Sequence, residues 1–343
     1  MRLVVDGFGK FVGVENGLIA IKEKGKTLKK FRAEELTQLL IAGKSAISSD
    51  AIKILMQNGV DVVFLIEDEV ARISHPLIGT AKTRREQYLA YYDRRGFTIA
   101  KEILKAKMRN QAFILFNLAK SRKESNLQIA NFLIDAKNVI EKCREELEAI
   151  EANKIEEVRE ELLGIEGKAS KIYWQGIAEV IPMDYHFEGR GGLESGTPRF
   201  AKDLVNAMLN YGYAILFSEC CHAIELAGLD PYAGFLHSDR SGRESLAIDL
   251  MECFRQQIVD RVVLKLISYS QIKPSDCENR NFVCHLNDNA RKMLLSEILE
   301  RFEERTQYKG KSISMSAVIL SQAREIAGFL KGENEYAGFS QNW

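Results

Sequence analysis

The segment GLDPYAGFLHSDRSGRESLAIDLMECFR, residues 228–255, places one imidazole and two carboxylates where they could share an ion. His237 follows a turn punctuated by Pro231 and Gly234, and Asp249 and Glu252 stand three residues apart in the helical run that comes next. At about 100° per helical residue, the two acids lie roughly 60° apart on one polar stripe. Like charges at that spacing repel by a few tenths of a kcal/mol on an exposed helix, a cost that a bound divalent cation would reverse. Imidazole with carboxylates suits Mn²⁺, or Mg²⁺ more weakly, whereas thiolates would favour zinc. Acidic pairs are also common as plain solvated charge, so this helix alone leaves both readings open.

A third oxygen ligand must come from elsewhere. In EGKASKIYW, residues 166–174, Glu166 follows Gly164 and is expected to start a helix whose Ala169, Ile172 and Tyr173 face inward. A glutamate at a helix start is also an ordinary partner of the helix dipole, so composition alone does not select it. The cysteines do not compete for a metal. Cys220, Cys221 and His222 are helical neighbours whose side chains point about 100° apart, which favours buried thiols. Cys277, Cys284 and His285 lack a fourth ligand. All six cysteines are expected as free thiols of a reducing cytoplasm.

The elements that must position these residues fall into two kinds. Residues 1–75 carry short β-branched and aromatic runs separated by Gly7, Asn16-Gly17 and Gly25, and Asn-Gly between apolar runs is a hairpin signal. Between them, SSDAIKILMQNG reads as one short helix capped by Ser49 and closed at Asn58-Gly59. His75-Pro76 marks a break, because the residue before proline is pushed out of the helical region. Beyond it, helix formers at 3.6-residue spacing dominate. The fold class is therefore α+β, with a small β-rich domain at 1–76, a linker at 77–84, and a larger all-α catalytic domain at 85–343. In the latter, Ser245 is expected to cap a helix running through Leu246, Leu250, Phe254, Ile258, Val262 and Leu266. Residues 134–161 read as a solvated helical hairpin, and GENEYAGFSQNW, from residue 332, as a tail that frays or orders on contact.

Bulk composition sets wider bounds. A chain of 343 residues, 46% hydrophobic and 28% charged, has ample material for two globular domains. Forty-eight basic and 48 acidic residues give no net charge, which disfavours a uniformly basic nucleic-acid binder but leaves local patches untouched. Asp6, Gly7, Gly9 and Lys10 interrupt any secretory core near the start, and no apolar run reaches the roughly 20 residues of a spanning helix. A cytoplasmic protein is expected.

Three stretches in order, EGKASKIYW, LVNAMLNYGYAIL (204–216) and GLDPYAGFLHSDRSGRESLAIDLMECFR, resemble the motifs of the CRISPR-associated integrase and endonuclease family known as Cas-one (Cas1). This family supplies the catalytic subunit of spacer acquisition, and the resemblance covers essentially the whole chain. It implies a Mg²⁺ or Mn²⁺ site held by Glu166, His237 and Glu252. Many relatives have Asp at the last position, so Glu252 is a longer ligand; Asp249 is expected behind it, with a direct or water-mediated contribution to the metal left open. It further implies attack of a DNA 3′-hydroxyl on a repeat-end phosphodiester, with water as attacker giving nuclease activity. The implied partners are double-stranded and branched DNA, a second copy paired through the β domain, and the small Cas-two (Cas2) protein. Arg84, Arg85, Lys168, Lys171, Arg190, Arg199, Arg240, Arg243 and Arg255 cluster around the motifs or just past the linker and are expected to flank DNA phosphates. Asn206 and Asn210 are expected to reach DNA or orient ligands, Tyr173 joins the candidate DNA contacts, and Tyr211 and Tyr213 are expected to pack. Two other classes stay open: a stand-alone metal-dependent repair nuclease, and a non-catalytic helical scaffold.

Overall fold

A computed structural model describes residues 1–66, 69–73, 81–190, 201–237, 243–280 and 283–341. They divide into two units, Met1–Ile78 and Gly79–Trp343. In the first, β1 (Arg2–Asp6), β2 (Lys10–Glu15), β3 (Leu18–Glu23), β4 (Lys26–Phe31), β5 (Gln38–Ala42), β6 (Ala46–Ile47), α1 (Ser49–Gln57), β7 (Asp61–Ile66) and β8 (Glu69–Ile73) follow one another. They form two four-stranded sheets, ordered β1-β5-β7-β8 and β4-β3-β2-β6. Asn16 and Gly17 both take left-handed φ, 53° and 78°, which is what a two-residue hairpin turn with the right twist demands. Lys24 and Gly25 close β3 and β4 the same way, at 48° and 79°. The first sheet is not a meander: β1, β5 and β7 run parallel, with α1 in the crossover between β5 and β7. Val12, Ile19, Leu39, Ile41, Leu55 and Val62 share one core. Ser48, not Ser49, caps α1, its hydroxyl accepting from the Ala51 N–H at 3.2 Å.

The second unit comprises α2 (Ala81–Leu89), α3 (Arg94–Arg122), α4 (Leu127–Ala149), α5 (Arg159–Ala178), α6 (Leu204–Leu226), α7 (Ser245–Glu252), α8 (Arg261–Ser268), β9 (Cys277–Arg280), β10 (Val283–Leu286), α9 (Asp288–Glu303), β11 (Arg305–Tyr308), β12 (Lys311–Ser314) and α10 (Met315–Leu330). It is helical but not all-α, because two antiparallel hairpins, β9/β10 and β11/β12, are set among the helices. The second turns on Lys309-Gly310, again both left-handed. Residues 81–84, expected in the linker, form the first turn of α2, while the rest of that stretch lies outside the described residues.

The long helix α3 starts at Asp93, whose carboxylate accepts the Arg95 N–H at 2.9 Å. Phe97, Leu104, Met108, Ala112 and Leu115 form its buried stripe. The Ile/Leu seam of α4, through Leu133, Ile140 and Leu147, is buried, so only the charged face is solvated. A Cβ on Gly176 would meet Leu115 Cδ2 at 2.8 Å, so glycine lets α5 approach α3 closely.

Three further expectations are corrected, on the helix after Ser245, its cap and the cysteines. The run after Ser245 is not one helix: α7 ends at Glu252 and a π-helical turn, Gln256–Asp260, precedes α8. Ser245 is the first helical residue rather than the cap, and its hydroxyl lies 3.4 Å from the Arg243 carbonyl. Four cysteines are free and buried, but Cys277 and Cys284 form a disulfide across the β9/β10 hairpin. Of the two alternatives for the tail, ordering on contact is what the described residues show: Tyr336 and Phe339 are buried, and Phe339 stacks on Phe254 at 5.2 Å between ring centroids.

Candidate metal centre

Asp249 and Glu252 are not on a solvated stripe. Asp249 is fully buried and Glu252 is 3% exposed. Carboxylates tolerate that only when their charge is met, and each meets it differently.

Asp249 is consumed by the loop that carries His237. Its Oδ2 accepts the backbone N–H groups of Phe235 at 2.7 Å and Leu236 at 2.9 Å. Its Oδ1 accepts the His237 N–H at 3.1 Å and lies 2.6 Å from His237 Nδ1. Gly234 makes the approach possible, because a Cβ there would sit 2.6 Å from the Ser245 carbonyl carbon at the start of α7. With Nδ1 donating to the carboxylate, the lone pair of the imidazole is on Nε2, the arrangement seen in metal-ligating histidines.

Glu252 and Glu166 are joined by a residue absent from the sequence-based set. The Lys107 ammonium, on the inner face of α3, pairs with Glu252 Oε2 at 2.7 Å and also with Glu166 Oε1. Arg255 approaches Glu252 Oε1 at 3.2 Å, and Ser170 donates to Glu166 Oε1 at 2.6 Å. Burial pushes the Glu252 carboxyl up, but Arg255, Lys107 and His237 outweigh it and hold it at about 2. Burial likewise opposes ionisation of Glu166, and Lys107 outweighs it, leaving that carboxyl below its ordinary value. Glu166 does not open a helix. It lies in the interior of α5, with Ala169 and Tyr173 buried and Ile172 half-buried on the same helix.

Of the expected ligands, the fold thus brings the two glutamates to one cation and sets His237 close enough to Glu252 to lower its pKa. As they stand, Glu166, His237 and Glu252 do not bring three ligand atoms all within 4.8 Å of one another. The donor set nevertheless fits a hard divalent cation: two ionised carboxylates, one buried and one half-buried, converge on a positive group, beside an imidazole whose second nitrogen is fixed in place.

The expected DNA contacts sort into two groups. Lys168, Lys171, Arg85 and Arg243 are exposed, with Lys168 near Glu146 at 3.3 Å and Arg85 paired to Glu86 at 3.0 Å. Arg84 is half-buried. The others that the structure describes are buried or half-buried and engaged within the protein. Tyr173 is fully buried and donates to Asp260 Oδ2 at 2.8 Å, which corrects its place among the DNA contacts. Tyr213 donates to Asp260 Oδ1 at 2.5 Å, and the Arg255 guanidinium lies 4.8 Å from the Tyr213 ring centroid. Arg190 donates to Asn206 Oδ1 at 3.0 Å and Asn210 Oδ1 at 2.9 Å, so these amides hold an arginine instead of reaching outward. Tyr211 is buried, as expected. Arg199 and Arg240 lie outside the described residues.

Lys107 had one legible signal. Lys107, Asn110 and Gln111 interrupt the apolar face of α3 in phase with Leu104 and Leu115, and a lysine on a buried stripe calls for a buried partner.

The family model described as CRISPR associated protein Cas1 matches residues 3–300. The chain is 65% identical over 345 residues to the CRISPR-associated endonuclease Cas1 1 of Archaeoglobus fulgidus, covering 100% of both. It is 33% identical to the CRISPR-associated protein Cas1 3 of Methanobrevibacter ruminantium, again over 100% of both. Among solved structures, a casposase bound to integration product matches with a TM-score of 0.83 and 26% identity, covering 99% of this chain and 93% of that one. A Cas1 protein from Thermotoga maritima shares the fold, with a TM-score of 0.77, 20% identity and 100% of each chain covered. The chain therefore belongs to the Cas1 family of CRISPR-associated proteins.

Proposed function

We propose that this protein is a divalent-metal-dependent DNA integrase and endonuclease of CRISPR adaptation, joining spacer DNA to a repeat by attack of a 3′-hydroxyl on a phosphodiester. One observation carries the reading: Glu166, half-buried, and Glu252, buried, from helices far apart in sequence, are held ionised around a single positive point beside an imidazole oriented by Asp249. The relative named as an endonuclease, at 65% identity, and the casposase bound to integration product both support it.

Glu166, Glu252 and His237 Nε2 would hold Mg²⁺ or Mn²⁺, with Asp249 behind the histidine. Bound there, the cation would polarise the phosphoryl group and favour ionisation of the attacking hydroxyl. The rest falls to the chain itself. Asp249 keeps the imidazole in one tautomer and ties the 235–237 loop to α7. Lys168, Lys171, Arg85 and Arg243 offer exposed positive charge for the DNA backbone. Water in place of the 3′-hydroxyl would give endonuclease cutting from the same site. A homodimer through the β-rich unit, a complex with Cas2 and a cytoplasmic location complete the proposal.

The test supplies a supercoiled plasmid bearing a repeat, a short duplex with free 3′-hydroxyls, and Mn²⁺. Joined products are expected from the wild type and neither joining nor cutting from His237→Ala or Glu252→Gln. Cut plasmid without joining would support a nuclease alone. Equal activity in wild type and both variants would remove the site from the chemistry.

A further inference from the structure

Lys107 stands where two carboxylates that are read as metal ligands meet. Its side chain is 8% exposed, emerges from the buried stripe of α3, and pairs with both Glu166 and Glu252. The other partners of the two acids sit elsewhere: Ser170 is one turn along α5 from Glu166, and Arg255 takes the opposite oxygen of Glu252. Among the described residues, Lys107 alone is paired with both acids. Two like charges around one point, one buried and one half-buried, repel in a low-dielectric interior, and the ammonium paired with both offsets that repulsion, with Arg255 adding charge from the far side of Glu252.

We propose that Lys107 is a resident counter-cation that holds Glu166 and Glu252 together in the metal-free protein and is displaced from between them when a divalent cation binds. This rests on the metal reading of the site given above. A dication bridging the glutamates would claim the oxygens that Lys107 now pairs with, and two positive centres at that separation repel. One must yield. Lysine is suited to yielding, since its charge rides on a flexible four-carbon stem and its ammonium is readily rehydrated. Displacement would leave Glu166 with Ser170 and Glu252 with Arg255, so neither acid loses all support. The affinity for the metal would then be set below what the bare acid pair could reach, and the fold would not depend on metal to keep the two anions side by side.

The test titrates MnCl₂ alone into wild type, Lys107→Met and Glu252→Gln by calorimetry, and follows thermal unfolding in EDTA and in saturating Mn²⁺. Lys107→Met is expected to bind Mn²⁺ at least tenfold more tightly than wild type, to melt lower in EDTA, and to recover most of that loss when Mn²⁺ is added. A second measurement needs no variant: wild type is treated with a soluble acetylating reagent and Lys107 modification is read by mass spectrometry, which should rise with Mn²⁺. If wild type binds no Mn²⁺, or Glu252→Gln binds as well as wild type, the metal reading itself fails. If wild type binds and Glu252→Gln does not, yet Lys107→Met shows unchanged or weaker affinity, the inference about Lys107 alone is overturned. Unchanged acetylation of Lys107 at saturating Mn²⁺ overturns it equally.

Discussion

Asp249 Oδ1 lies 2.6 Å from His237 Nδ1, and the same carboxylate accepts three consecutive backbone N–H groups of the loop that presents the histidine. One side chain therefore sets both where the imidazole sits and which of its nitrogens is free. Asp249→Asn keeps the size but puts an NH₂ against donors. Mn²⁺ affinity should fall about 10–100-fold, the range for residues that orient a metal-bound histidine. A titration giving wild-type affinity for a folded Asp249→Asn protein would dismiss this role.

The ionised state of Glu252 should be visible in stability against pH. Its carboxyl is lowered from 4.5 to about 2, so as pH falls the unfolded chain takes up this proton first. The stability it contributes is therefore complete above about pH 5 and is lost as pH drops towards 2. Lys107 is raised above its ordinary value, because its two glutamates outweigh burial, so its contribution is complete at neutral pH and is lost only in strong alkali. Urea denaturation should find Glu252→Gln less stable by about 3–5 kcal/mol near neutrality. The gap should close on acidification; a gap independent of pH between 6 and 3 would contradict it.

Gly234 is a steric requirement of the same latch. An alanine Cβ would meet the Ser245 carbonyl carbon at 2.6 Å and the Leu246 nitrogen at 2.8 Å, neither of which can swing aside. Gly234→Ala should cost about 1–3 kcal/mol by overpacking and should weaken Mn²⁺ binding in the same protein, since the loop and α7 would be forced apart. Lost stability with intact metal affinity would show the loop adjusting without moving His237.

Exposed charge, not net charge, should govern DNA binding. Affinity should fall with salt at a log–log slope of roughly −0.9 per phosphate neutralised. Replacing Lys168 and Lys171 together by Glu should make the slope shallower by about 2 while affecting all duplex sequences alike. An unchanged slope would place the DNA elsewhere on the surface.

Turn chemistry made much of the β-rich unit legible, and burial chemistry hid much of the site. Asn16-Gly17 declared its hairpin. Lys309-Gly310 did not, although the Lys-Gly-Lys motif around it repeats the one at 24–26, because it sits among helix formers that drown a two-residue signal. The parallel pairing of β1, β5 and β7 is non-local and leaves no mark in short windows. Glu166 looked like a helix start because Gly164 precedes it, yet α5 begins at Arg159 and a Cβ on Gly164 would meet nothing within 4 Å. Asp249 and Glu252 looked solvated because isolated acids usually are. What buries them, three loop N–H groups and one lysine 145 positions upstream of Glu252, exists only once distant segments have met.

Asn110, one turn beyond Lys107 on α3, donates to the Cys253 carbonyl at 2.9 Å and the Phe339 carbonyl at 3.0 Å, and accepts the Gln341 N–H at 2.9 Å. That single amide ties the residue that follows α7 to a stretch 229 positions beyond Asn110 itself. During synthesis, a polypeptide arrested before residue 339 would already own every acid and the histidine, but not the clasp that closes over the backbone next to Glu252. Trimming residues 339–341 away should therefore loosen the backbone beside Glu252 and lower the melting temperature while leaving every proposed ligand in place.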